Sequence, residues 1–412
     1  MLKKLKFIKK LNLEEFLIVF FPISILLRSA TLNIYMVLCG LLFLIKLKNI
    51  NFIDLSKNNK WIFVLIIFFG YSLLNSFSAE YFEKSFLGSI SILKFFLFSC
   101  FIATIDIRKK NFHLIVNIIS AILVLVCIDT IIQFIFGKDF FGFEIIQLGR
   151  LSGPFADELI VGSFLTYISI PITAYFYENI KYVKNRVKIY YIFFILLIYF
   201  TVLISGERMN FIILSCCYFL IAIRKPNLKV IFISFFSFLF FSILIVNLNY
   251  GLKIKFKSFY EDISNFGNSN HGRLLSSSYN VWEKNKIFGT GLKNYKKLCD
   301  TEKFDKYTNK NFLCSTHPHN LYFELLTESG LVGLLIFLFF IFMLMKKILN
   351  NYKQSNKTYK SIIYGSALVI FFYFWPFRSS GSFFSTIYGS FFWFNIGIIM
   401  LIAKHNSKFV KN

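Results

Sequence analysis

The stretch "STHPHNLYFELLTESGLVGLLIF", residues 315–337, is where a polar loop turns into an apolar helix. Two histidines flank a proline, two glutamates follow, and the run beyond Gly330 is apolar enough to enter a bilayer. Reading this junction as a membrane boundary decides the fold, and the rest of the chain agrees with it. Of 412 residues, 56% are hydrophobic, 57 are Phe and only 16% are charged. A water-soluble domain of this length would not carry so much apolar surface on so few charges. The repeated apolar runs approach the ~20 residues that cross a hydrocarbon core.

Working outward, twelve spans are predicted near 14–30, 31–47, 61–77, 86–105, 112–136, 157–177, 188–205, 208–223, 228–249, 320–345, 360–376 and 382–403. The basic stretch "MLKKLKFIKK" precedes the first span, and no A-x-A-like site separates it from the second, so no cleavable signal is read there. With the N-terminus inside, the cytoplasmic segments hold 27 Lys and Arg. The short outer connections hold only Arg28, Lys84, Lys138, Arg150, Arg208 and Arg378. That is the positive-inside pattern, so the net charge of +25 reports topology and contact with anionic membrane lipids rather than nucleic acid. The expected fold class is an all-α polytopic membrane protein, a single domain over 1–412 with both termini cytoplasmic. Spans 1–9 fill 1–250, a periplasmic loop fills 251–319, and spans 10–12 with a cytoplasmic tail fill 320–412.

The outer loop carries 12 Lys and Arg against 6 Asp and Glu over 251–316, yet long loops translocate largely regardless of charge. A connection of this length is usually functional or a small domain of its own. Its stretches "RLLSSSYNVWEKN" and "LKNYKKLCD" place apolar residues at helical spacing, so short helices are expected across the membrane face. Cys39, Cys100, Cys127, Cys216 and Cys217 fall in spans and read as small apolar residues. Cys299 and Cys314 share the loop; in an oxidising compartment they either pair or remain thiols. No CxxC pair, zinc spacing, P-loop or dinucleotide fingerprint occurs, and "GTG" at 289–291 reads as a turn.

Ionisable groups near a bilayer cost roughly 2.5–3.5 kcal/mol on insertion scales, so each asks for a partner or a purpose. In "GRLSGPFADELIVGSFL", residues 149–165, Asp157 and Glu158 are expected to cap the sixth span. Arg150 beside them reads either as an anion contact or as an interfacial anchor. In "LISGERMNF", residues 203–211, a tight hairpin holds Arg208, which either snorkels or is fixed to grip a phosphate. In "HGRLLSSSYNVWEKNKIFGTGLKNY", residues 271–295, Arg273 and Trp282 stand nine apart before a turn. In the opening stretch Thr316 is expected to cap the tenth span, with His319 near its third helical position. Free N–H groups and the helix dipole there would keep the imidazole neutral and able to accept a proton. Gly330 and Gly333 would share its face and let that face pack against another span. His319 is either structural or catalytic on this reading.

Taken together, "SGERMNF", the Gly-Arg, Trp and "FGTG" series, and "HN" followed by Glu328 and Gly330 resemble the bacterial O-antigen ligase and O-antigen polymerase superfamily. The motifs run from about residue 150 to 335 in one order on one side of the chain, and the twelve-span layout extends the likeness over nearly the whole protein. Lys286 stands where the family often has Pro, and many relatives have Asn and no acidic pair around Asp157. The resemblance implies a GT-C-like, metal-independent glycosyltransferase without cofactor, in the bacterial inner membrane with its active site facing the periplasm. Its donor would be a glycan on undecaprenyl pyrophosphate. Its acceptor would be a hydroxyl of lipid A-core or of a second lipid-linked glycan. His319 would be the general base, Arg208 and Arg273 would bind pyrophosphate, and His317, Arg150, Asp157, Glu158 and Asn320 would support the site or meet acceptor. Within the family, a polymerase or a glycan transferase acting on protein competes with a ligase. Outside it, a flippase or other transporter would place polar groups near the midplane, and a non-catalytic assembly partner would not need His319.

Overall fold

The computed structural model describes residues 11–48, 60–225, 228–300, 313–379 and 381–410. The basic N-terminal tail, the segment 49–59 and part of the long loop before residue 313 lie outside them. The described residues form fifteen α-helices and no β-strand. They are α1 (Leu13–Leu26), α2 (Arg28–Leu47), α3 (Lys60–Ser76), α4 (Phe82–Thr104), α5 (Lys109–Phe136), α6 (Val161–Asn179), α7 (Asn185–Ile204) and α8 (Arg208–Ala222). There follow α9 (Leu228–Leu248), α10 (Tyr250–Ser264), α11 (Asn270–Lys284), α12 (Tyr295–Cys299), α13 (Leu321–Gln354), α14 (Lys357–Tyr373) and α15 (Thr386–Val410). Each of the twelve expected apolar stretches falls on a helix. Among the described residues, seven helices are long and apolar enough to cross a membrane: α2, α4, α5 from Asn111, α7, α9 from Ile231, α13, and α15 as far as Lys404.

One hydrophobic core joins nearly all of these helices. α6 sits at its centre, buried along nearly its whole length and packed on α14, while α15 and α2 pack on α4. α9 is the opposite case. Phe236, Phe240 and Phe241 on it are each about 60% exposed, a patch far more apolar than water tolerates, and it marks a lipid-facing surface.

The connection between α9 and α13 carries short helices, α10 to α12, of which α11 and α12 fall on the two stretches expected to be helical, with a small core of Val281, Tyr295, Leu298 and Cys299. Cys299 is disulfide-bonded to Cys314, with Cα atoms 5.7 Å apart. The turn at 286–291 is fastened to α13 chiefly through backbone, with the Thr290 hydroxyl adding a 2.9 Å bond to the Thr327 carbonyl. α13 breaks at Gly330, whose φ of 65° and ψ of −172° interrupt the helical ladder. Thr290 and Gly291 donate their N–H groups to the carbonyls of Thr327 and Glu328, each at 2.9 Å. Leu331 and Val332 donate in return to the carbonyls of Lys286 and Ile287 at 2.9 and 3.2 Å. The Tyr71 hydroxyl donates to the Ser329 carbonyl at 2.6 Å, so the groups around the break find partners in the loop and in α3, as buried backbone requires. Only glycine permits the approach, because a Cβ on Gly330 would strike the carbonyl of Ile287 and one on Gly289 the amide of Gly330. The expectation of helix-on-helix packing at Gly330 is therefore corrected: that glycine receives a loop. Gly333 does face a neighbouring helix, Tyr71 of α3.

Candidate functional site

Three chain segments cross at glycines on one end of the bundle. A Cβ on Gly206 would collide with the carbonyl of Gly149, and a Cβ on Gly251 would come within 3.0 Å of the Gly149 backbone. Gly149 and Gly206 also take positive φ, 73° and 71°, which side chains resist. The crossing brings together the cations that follow each glycine. Arg208 is stacked on Phe259 at 5.2 Å, donates to the Lys255 carbonyl at 2.9 Å and stands 3.8 Å from the Asp262 carboxylate. Arg150 donates to the Leu159 carbonyl at 3.1 Å, and its buried Nε has no hydrogen-bond partner among the described residues. Partial burial first, then Arg150 and Arg208, holds the Lys255 ammonium below its ordinary value. Three like charges this close form a site electrostatically suited to a polyanion.

Asp157 and Glu158 do not cap α6, which corrects that expectation. The helix begins four residues beyond Asp157, and the exposed Asp157 instead lies 3.8 Å from Arg28. The cap comes from the hairpin. Glu207 accepts the N–H of Gly162 at 2.6 Å, the N–H of Ser163 at 3.2 Å, the Ser163 hydroxyl at 3.0 Å and the Asn210 amide at 2.6 Å. It meets the positive end of α6 from across the bundle and is buried there, and burial pushes its carboxyl up while Arg150 pulls it down. Sequence spacing missed this residue because its partners are 44 and 45 positions away.

His271, at the start of α11, continues the line from the cations. It faces the charges of Asp262 and Arg208, it shares a 3.3 Å hydrogen bond with the Ser379 hydroxyl, and its ring centroid is 6.1 Å from that of His319. Burial holds its pKa below the usual value. Its only sequence signal is that it is one of five histidines. Arg273 is half-buried two residues later on the same helix, about 200° around the axis from His271. Trp282 closes that helix with its indole N–H on the Lys286 carbonyl at 3.2 Å.

His319 is not a helical residue, and this too is a correction. Asn320 is the N-cap of α13, accepting the N–H groups of Tyr322 and Phe323 at 3.0 and 3.3 Å and donating to the Pro376 carbonyl at 2.7 Å. Asparagine outcompetes Thr316 because it bridges two chain segments while capping; Thr316 bonds the His317 ring instead, at 2.9 Å. His319 precedes the cap with a φ of 57°, a conformation costing about 1–3 kcal/mol that persists only where surroundings enforce it. The first-turn argument for a neutral ring therefore lapses. The imidazole lies 3.2 Å from the Ser315 hydroxyl and against His317, ring centroids 4.0 Å apart.

Beyond His317 opens a cavity of about 360 Å³ lined by Lys293, His317, Glu324, Glu328, Ser382 and Tyr388 among others. Glu324 is fully engaged by the Ser382 hydroxyl and by the Phe383 N–H at 2.9 Å. Lys293 reaches the Ser382 hydroxyl at 3.4 Å. Tyr388 lies within electrostatic reach of Glu207 and Arg150, so the cavity and the cation cluster adjoin. Lys293 on the loop before α12, Ser382 on the loop before α15 and Tyr388 on α15 are brought together by folding alone. Among the described residues no three His, Cys, Asp or Glu side chains cluster as a metal site would require.

A multi-pass helical membrane protein whose polar groups converge in one such site is the class defined by this architecture. The family model described as O-Antigen ligase matches residues 192–338, a stretch that contains Arg208, His271, Arg273, His317, His319 and the Gly330 break. That match supports the O-antigen ligase superfamily, over a narrower range than the motifs suggested, since Arg150 and Asp157 lie outside it. No protein of curated function matches the chain.

Proposed function

We propose that the protein transfers a glycan from undecaprenyl pyrophosphate to a sugar hydroxyl of lipid A-core on the periplasmic face of the bacterial inner membrane. The observation that supports this reading is that His271 lies within electrostatic reach of Arg208 and has its ring centroid 6.1 Å from that of His319. Arg208 grips the pyrophosphate through its planar fork, charged at any physiological pH, with Arg150 and Lys255 beside it. Arg273 remains in the proposal as a second guanidinium on the adjoining helix. His319 takes the proton of the acceptor hydroxyl, whose oxygen bonds the anomeric carbon as the carbon–oxygen bond to phosphate breaks. The electron pair leaves with undecaprenyl pyrophosphate, and attack opposite that group inverts the anomeric centre. General-base help of this kind contributes roughly 10²–10⁴ in rate, and no metal or cofactor enters the proposed step.

The test is transfer by purified protein supplied with lipid-linked glycan and either lipid A-core or further lipid-linked repeat, with and without chelator. His319→Ala and Arg208→Ala should each abolish transfer while the protein accumulates normally. Arg208→Lys should also be damaging, because the bidentate fork is lost. Wild-type transfer by His319→Ala would remove the catalytic assignment. Product only with lipid-linked repeat would make the protein a polymerase instead of a ligase.

A further inference from the structure

We infer that the cavity beyond His317 is the acceptor-sugar subsite, holding one neutral pyranose with its attacking hydroxyl turned toward His319; the inference rests on the transferase reading above. The volume of about 360 Å³ lies within the roughly 300–1,000 Å³ of small-molecule pockets. Its wall selects the chemistry of the occupant. Glu328 is only 2% exposed, yet its Oε2 has no hydrogen-bond partner among the described residues. A buried carboxyl oxygen in a cavity wall is a polar atom in want of a hydrogen-bond partner. Glu324 next to it has both oxygens engaged, so Glu328 is the one of the pair with an oxygen left for a ligand.

A phosphate would bring a further negative charge to a wall that already holds two acid side chains, and a lipid tail would bury polar groups without repayment in hydrogen bonds. An uncharged ring bearing several hydroxyls suits the wall, since each hydroxyl can donate to and accept from carboxyl, ammonium or hydroxyl groups. Lys293, Ser385 and Tyr388 supply those partners from the other sides. Position then favours the acceptor: the cavity begins at His317, whose ring lies against that of His319, so a hydroxyl of its occupant stands beside the proposed base.

The experiment uses the full-length purified protein, lipid A-core and lipid-linked repeat as separate acceptor arms, and undecaprenyl pyrophosphate as a probe of the donor end. Glu328→Leu keeps much of the volume but removes the carboxyl oxygens, and loss of the hydrogen bond to the acceptor should raise its KM about threefold or more. Ser385→Phe fills the cavity from its rim and should eliminate productive acceptor binding. Both variants should bind undecaprenyl pyrophosphate within about twofold of wild type, which also reports that they fold. An unchanged acceptor KM in both variants, or a rise in the donor KM instead, overturns the assignment. Arg208→Ala separates the two hypotheses: loss of undecaprenyl pyrophosphate binding supports the transferase site irrespective of the cavity, and retained binding and transfer overturns that site and the subsite with it.

Discussion

Gly330→Ala is the sharpest perturbation of the arrangement that carries the site. Gly330 adopts φ 65° and ψ −172°, a region almost confined to glycine, so a Cβ costs about 1–3 kcal/mol through backbone strain alone. The same Cβ would strike the Ile287 carbonyl and the Gly289 amide. The chain has one escape, which is to close α13 into a continuous helix. That route regains two helical hydrogen bonds but breaks the four backbone bonds and the Thr290 hydroxyl bond that fasten residues 286–291, each worth about 0.5–1.5 kcal/mol net. Buried loop groups are then left unsatisfied, so either route costs about 2–4 kcal/mol. Thermal denaturation of the detergent-solubilised protein should show a lower midpoint, and limited proteolysis should cut near residues 286–291 faster. Gly70→Ala is the matched control. It lies within α3 with nothing inside 4 Å of an added Cβ, so better helix propensity should leave stability unchanged or slightly higher. A Gly330→Ala protein as heat-stable and protease-resistant as wild type would refute the reasoning.

Glu207→Ala should destabilise the hairpin end, because the first-turn N–H groups of Gly162 and Ser163 lose their acceptor at about 1–3 kcal/mol each; the thermal midpoint measures this. Reducing Cys299–Cys314 opens a loop of 15 residues, worth about 3 kcal/mol on a chain-entropy basis, so reductant should lower the midpoint of wild type and leave Cys299→Ser/Cys314→Ser unaffected. His271 is held below its ordinary pKa of roughly 6.5 by burial, so the folded state favours the neutral ring. Its contribution is full above pH ~6.5, declines as falling pH protonates the unfolded chain first, and levels off once the folded ring protonates; His271→Asn should flatten that part of the stability–pH curve.

How much of this was legible in the residues differs from feature to feature. The helical membrane class follows from composition and from apolar run length, because a bilayer imposes the same requirement on every span wherever it sits in the chain. The loop helices α11 and α12 follow from local periodicity, and Arg208 and His319 from motifs whose members lie close in sequence. The capping errors have one cause. Asp157, Glu158 and Thr316 stand where a local cap would stand, but Glu207 reaches α6 from another hairpin and Asn320 ties α13 to Pro376 as it caps. A partner 45 or 56 positions away leaves no trace in spacing.

Local chemistry thus settled the class of the chain, most of its helices and the residues able to handle a proton or a phosphate. Tertiary structure alone decided which of them meet: Arg150 with Arg208 through three crossing glycines, His271 between Arg208 and His319, and Glu328 with Lys293 around a cavity. The physical reason is that these contacts depend on backbone close approach and on desolvation. Both are properties of the packed bundle, and neither exists in any segment taken by itself.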